Sequence, residues 1–418
     1  MRNPNSRHSP RSKLEMTKGI NDLQPARLEQ ALAARSLTKG QLASLVGVAA
    51  STVTKWCKGD QAPEADTFDR IASVLNVQPE WLTRPALPSV SAPLYRSNAS
   101  ALKAARAKLE ARTAWVQEIA VLLSEYVDYP TVNLPERNFR DPEQISKADI
   151  EAAADECRAL WQLGRGPIQN LALAAEGAGI IVVREETEIS AIEGLSSWSS
   201  LLSRPIVFLS ADKANAFRSR FDLAHEIGHL ILHKHIPRAD ERDRYNQMEK
   251  QAHQFAGAFL LPAETFACEA RVPPNLDNLL ILKQRWGASV AAMMMRLHSL
   301  GLLSDDEKLA LFKRRSARWG SKAEPGDDKW EPEMPRLLRR TVELLVNEGI
   351  LPVERVPHYA GVSERDVEML CSLRENYFGA SAEVVELATL RSSKSGSQNA
   401  RQTSTSGVGV VSFLNFKK

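Results

Sequence analysis

Residues 218–262 read RSRFDLAHEIGHLILHKHIPRADERDRYNQMEKQAHQFAGAFLLP, and the rest of the chain is best read outward from them. Within this stretch His225-Glu226-Ile227-Gly228-His229 form an H-E-x-x-H run, with apolar Leu223, Ala224, Leu230, Ile231 and Leu232 around it. On a helix, positions four apart share a face, so both imidazoles can reach one ion while Glu226 stays beside them. Zinc chemistry needs that arrangement. Two neutral imidazoles and a third protein ligand leave one position for water, and a nearby carboxylate can take the water's proton. The pentapeptide alone fits equally well a metal-free helix whose histidines cap its apolar face. The second half of the stretch favours metal. Glu249, Ala252, Ala256, Phe259 and Leu260 follow helical spacing, which sets Glu249 near the apolar side of its helix. An ionised carboxylate facing a core is costly unless it is paired or bound to metal, and a third zinc ligand is the natural use for it. Five of the chain's eight histidines fall within residues 225–253. His233 and His235 read as surface residues, because Glu249 already completes a three-ligand set. Arg218 and Arg220 either orient a substrate and stabilise developing negative charge or simply begin a solvated helix. Tyr245, in the gap, could donate to an oxyanion.

The runs RFDLAHEIGHLILH and MEKQAHQFAGAFLLP resemble the ImmA/IrrE-type zinc metallopeptidases, the M78 family. The likeness extends upstream through GPIQNLALAAEGAGIIVV, GLSSW and RPIVFLS, and downstream through LILKQRWGASVAAMMMRLHSLGLLS, covering about residues 145–305. By resemblance His225, His229 and Glu249 are the Zn2+ ligands and Glu226 is the general base. The family usually carries Asn or Asp four residues after the ligand Glu, where this chain has His253. His253 is therefore an altered partner behind the ligands or a competing ligand.

A chain of 418 residues has room for two or three domains, each with its own core. With 43% hydrophobic and 25% charged residues the composition is that of a globular protein. A net charge of +3 does not by itself imply nucleic-acid binding. Residues 1–19 hold five Lys/Arg against one Glu, and residues 391–418 hold five Lys/Arg and no acid, so both ends read as flexible. The four cysteines lack C-x-x-C spacing, which argues against a disulfide framework or a thiolate zinc site and for a reducing, cytoplasmic setting. Neither a leader-like apolar stretch nor a run of membrane-spanning length is present, so no membrane partner is expected.

Residues 20–84 read as a compact helical unit. Leu28, Ala31 and Leu32 make a first helix, Thr38 is a cap residue for a short second one, and Gly47 turns the chain into a third, Ala50–Cys57. Short helices joined through a glycine are the helix-turn-helix arrangement. The stretch LTKGQLASLVGVAASTVTKWCKGDQAP resembles the lambda-repressor/Cro (XRE) family through Leu42, Ala43, Gly47, Val48, Val53, Trp56, Gly59 and Pro63. That resemblance implies double-stranded DNA as a partner, with the helix from Ala50 entering the major groove. Ala50, Ser51 and Thr52 would then meet base edges and Thr54, Lys55 and Lys58 phosphates, and Lys39 and Gln41 would also bind the DNA. A helical protein-interaction module on the same fold is the competing reading.

Residues 85–142 read as a proline- and serine-bearing linker followed by a long helix over 101–126 and a further break. Residues 143–312 read as the α+β, zincin-like metallopeptidase domain. It holds a helix from Ser146, a helix begun at Gly166-Pro167, and strands at Gly179–Val183, Gly194–Ser200 and Pro205–Leu209. Residues 313–390 read as a helical C-terminal region, entered by a charged linker or loop at 314–334 and loosely resembling a second helix-turn-helix. The expected fold is mainly α with a small β-sheet. The two resemblances together imply a regulatory zinc endopeptidase that cleaves a protein, often a helix-turn-helix transcriptional repressor, in a stress or mobile-element response. The alternative is an XRE-type transcriptional regulator whose peptidase-like domain is a sensor or scaffold with little turnover. A homodimer is one option for its oligomeric state.

Overall fold

The structure, a computed structural model, describes residues 22–88, 90, 100–187, 192–212, 215–237, 242–320 and 322–379. The basic arm 1–19, most of the expected linker 85–98 and the 391–418 tail lie outside the described residues.

Its centre is a three-stranded sheet of Ile181–Glu185 (β1), Gly194–Ser199 (β2) and Arg204–Ser210 (β3), in the order β1-β3-β2. β1 pairs parallel with β3, Ile181 opposite Ile206, and β2 pairs antiparallel, Leu195 opposite Phe208. Side chains alternate across a strand, and here both faces are covered, so β1 and β3 are buried nearly throughout. Ile181, Val183, Leu195, Ile206 and Phe208 face one core, whereas Val182, Val207 and Leu209 face the other.

The first core is shared by parts of the chain far apart in sequence. Helices Pro25–Ala34 (α1), Lys39–Val46 (α2), Ala50–Lys58 (α3), Ala65–Leu75 (α4) and Pro79–Thr83 (α5) form the N-terminal unit. They pack against the long helix Ser100–Ser124 (α6), whose Trp115, Val116 and Ile119 are buried between them and the sheet. Trp81 meets Trp115 edge to face at 6.1 Å, with the Arg27 guanidinium over the Trp81 ring and Trp81 Nε1 donating to Glu118. The N-terminal unit is therefore seated on the body of the protein and does not hang from it.

The second core holds the helices of the sequence's central motif. Lys147–Leu160 (α7), Leu171–Gly177 (α8), Ala216–Leu232 (α9) and Arg242–Leu260 (α10) pack with Ala263–Glu269 (α11), Leu276–Trp286 (α12), Val290–Ser299 (α13) and Asp305–Trp319 (α14). Helix α8 starts at Leu171, not at Gly166-Pro167. Asn170 caps it by accepting from Leu173 N, and the Glu333 carboxylate takes the N–H groups of Leu171 and Ala172 at 2.8 and 2.9 Å. The stretch 314–334 is in part helix, since α14 runs to Trp319. The rest is a strap fixed from both ends. Glu324 accepts from Val290 N and Ala291 N at the start of α13, and Glu333 does the same for α8. A carboxylate at a helix N-terminus satisfies orphan amides and complements the dipole.

Leu337–Asn347 (α15), Arg355–Ala360 (α16) and Glu364–Leu370 (α17) return to the first core. Helices α16 and α17 join through Gly361 at φ 71°, much as α2 and α3 join through Gly47 at φ 75°. The likeness ends at exposure. Asp366, Val367 and Glu368 of α17 are buried, and Gly361 lies so close to Trp81 that a Cβ there would overlap the indole. This second helix pair is a dock for the end of α1 and for the turn between α4 and α5. Val362 bridges Val77, Gln78 N donates to Gly361 O, and Arg35 donates to Asp366 at 2.8 Å. Asp366 also pairs with Arg112 of α6, which forks onto Glu185 of β1. Burial pushes the Asp366 carboxyl up, but Arg35 and Arg112 outweigh it and hold the group below the ordinary aspartate range.

Candidate metal centre

Helix α9 begins with Asn215 accepting from Arg218 N and carries the H-E-x-x-H run in its second half. Its partner α10 can approach closely because residue 228 is glycine. A Cβ there would stand 3.0 Å from the Phe255 ring. That approach brings Glu249 of α10 over the two histidines. His225 Nε2 and His229 Nε2 lie 3.0 Å apart, and the Glu249 carboxylate oxygens stand 3.3 and 3.2 Å from them. Ligands about 2.0–2.1 Å from one zinc at tetrahedral angles stand about 3.3 Å from one another. The three groups thus fit one zinc. Burial pushes the Glu249 carboxyl up, yet the contacts with His225 and His229 prevail and hold it far below the usual carboxylate range. Burial alone would lower the His225 imidazole, but Glu249, Glu226 and Asp222 raise it.

Glu226 follows His225 and is 8% exposed. Its carboxylate lies against Gly194 at the start of β2, where a Cβ would be 3.0 Å from Oε1. Among the described residues β2 is an edge strand, so the carboxylate sits beside a strand edge, where backbone groups can take a further strand. Tyr245 comes to the same place. Burial first, and then the Glu249 charge, push its phenol up.

His253 is exposed, with its ring 4.4 Å from that of His225 and its Nδ1 donating to Glu249 O at 2.7 Å. Its ligand atoms lie within 4.8 Å of those of His225 and Glu249, so it stands at the rim of the cluster. Arg218 pairs with Glu193 beside β2 and stays half-exposed. Arg220 does not serve as a substrate or oxyanion contact. It is 3% exposed, and its guanidinium is spent on Glu333 and the carbonyls of Ile168 and Gln169. The reading of His233 as a surface residue is also corrected. It is fully buried at the end of α9, with Nδ1 2.9 Å from His229 Nδ1 and Nε2 3.1 Å from Gln251 Oε1. Burial first, and then His229, hold it neutral. Its position four residues after His229 is the signal in the sequence.

In the N-terminal unit, Ala50, Ser51, Lys55 and Lys58 of α3 are exposed, and Thr52 and Thr54 are half-buried. Gln41 closes a capping box with Thr38, and Lys39 pairs with Glu29 at 2.9 Å. Gln41 thus caps the start of α2, and Lys39 reaches across to Glu29 of α1. Thr54 Oγ1 turns back to Ala50 O at 3.0 Å.

Residues 175–298 match the family of IrrE N-terminal-like domains, the M78 peptidases, and residues 28–82 match a helix-turn-helix family. No curated protein matches the chain. An M78-type, IrrE N-terminal-like domain and an XRE-type helix-turn-helix DNA-binding domain are thus joined in one chain.

Proposed function

We propose that this protein is a cytoplasmic, DNA-binding zinc endopeptidase that cleaves a protein substrate, a helix-turn-helix transcriptional repressor being the class implied by its resemblance to ImmA/IrrE proteins. The observation that carries the zinc reading is the convergence of His225, His229 and Glu249 donor atoms at 3.0–3.3 Å. When bound there, zinc supplies Lewis acidity toward a carbonyl and toward water. The chain's own residues supply the rest. An extended peptide adds to the free edge of β2 by backbone pairing, which sets its scissile bond beside Glu226. Glu226 takes a proton from the attacking water and delivers it to the leaving amine. The Tyr245 phenol, kept protonated, donates to negative charge developing on the carbonyl oxygen. Among the described residues no helix is long and apolar enough to cross a membrane, and the four cysteines are free thiols, which suits the setting proposed.

Elemental analysis tests the metal. The purified protein is expected to carry about one zinc per chain, and His225→Ala to lose most of it. Undiminished zinc in that variant would remove His225 from the ligand set. The DNA arm is tested by titration with duplexes at several salt concentrations. Lys55→Ala should weaken binding to all sequences alike and lower the salt slope by about one. A loss confined to one sequence would instead put Lys55 on a base.

A regulator whose peptidase-like domain is a sensor has one observation in its favour, the core shared between the N-terminal unit and the sheet. Peptide-bond turnover that depends on Glu226 separates it from the endopeptidase.

A further inference from the structure

The hydrogen bonds behind His229 run in one direction. Gln251 Nε2 faces two carbonyls, Pro142 O at 2.7 Å and Ile145 O at 3.3 Å, and only an amide nitrogen can donate to both. The other end of that amide, Oε1, is therefore an acceptor, and it lies 3.1 Å from His233 Nε2. That nitrogen must carry the His233 proton. The second nitrogen, Nδ1, is then an acceptor, and its neighbour at 2.9 Å, His229 Nδ1, must donate. An imidazole protonated at Nδ1 keeps its lone pair on Nε2, the atom that faces His225 and Glu249. His233 is fully buried and Gln251 nearly so, which leaves little room for water to take over either bond.

We propose that His233 and Gln251 are positioning residues that lock the ring and the tautomer of His229, so that Nε2 is always presented as a ligand. The proposal rests on the zinc reading above. The outer nitrogen of a metal-bound histidine commonly donates to a carboxylate, carbonyl or water. Here a second imidazole takes that place, and an amide passes the polarity on to the backbone at Pro142 and Ile145, outside the matched segment 175–298. The chain of bonds also couples the end of α9 to α10 and to the turn before α7.

The test is zinc affinity of the full chain, measured by competition with a chromophoric chelator, with the visible spectrum of the cobalt form as a second readout. His233→Phe fills much of the space and cannot accept, and should weaken zinc about 10–100-fold. His233→Asn places an amide oxygen close to the position of Nδ1 and should recover most of that loss and a wild-type-like cobalt spectrum. His233→Gln places its amide group near Nε2, restores only the bond to Gln251, and should stay weak. Equal losses in all three variants, in step with lower melting temperatures of the metal-free forms, would make His233 a packing residue and overturn the proposal. So would unchanged affinity in His233→Phe. Should His233→Phe fail to fold, the ordering of Asn above Gln decides. A wild-type chain that takes up no zinc is a separate result on a separate sample, and it would sink the zinc reading and this inference with it.

Discussion

Glu226→Gln is expected to lower peptide-bond hydrolysis by about 10²–10⁴ while zinc stays at about one per chain. The amide keeps the shape of the carboxylate and its place against Gly194, so the edge strand and the histidines should not move. What it cannot do is accept a proton. Cleavage of a degenerate peptide library, followed by mass spectrometry, reads the rate on whatever sequences the protein accepts, and elemental analysis of the same preparation reads the metal. Equal turnover in the two proteins would take the proton transfer away from Glu226. Loss of zinc together with activity would show that Glu226 had been holding the ligands.

Asp366→Ala should cost about 3–5 kcal/mol of stability, because it leaves two arginines without their shared carboxylate. Arg112 is almost wholly buried and would keep Glu185 as its carboxylate, while Arg35 would keep two backbone carbonyls, and both guanidinium groups would stay by the Trp115 ring. Denaturant unfolding of the purified chain measures the cost, and proteolysis near residues 84–100 reports whether the N-terminal unit has come off its seat. A change under about 1 kcal/mol would place the network among pairs that contribute little. The pH dependence has a definite sign. The folded Asp366 carboxyl lies below its unfolded value, so its contribution is fully present above about pH 3.9. It is lost as the pH falls through the lower, folded value.

Much of the candidate metal centre is legible in the sequence because it is local. His225, Glu226 and His229 lie within one helical turn, and the spacing of Glu249 against Ala252, Ala256 and Phe259 betrays a carboxylate turned inward. The three strands show as β-branched or alternating runs, to within two residues at their ends. What the sequence hides shares a cause. Arg35 and Asp366 are 331 positions apart, and Arg220 finds Glu333 across 113, so nothing in either neighbourhood announces the pairing. A buried guanidinium looks like a surface one until its distant partner is known. His233 escapes for a different reason. With three ligands assigned, a further histidine looks surplus, although a ligand ring has a second nitrogen that also needs an address.

The seat beneath the N-terminal unit has a consequence on DNA. A double helix ties distance along its axis to angle around it, at about 10–10.5 base pairs per revolution. A flexible tether would average over that angle. Here α3 and the candidate metal centre belong to one packed body, joined through α6, Asp366 and the sheet. If α3 lies in the groove as proposed, the edge of β2 therefore has a compass bearing as well as a reach. A neighbour bound half a revolution away would stand behind the protein, at the same linear spacing scale but facing the wrong side of the duplex.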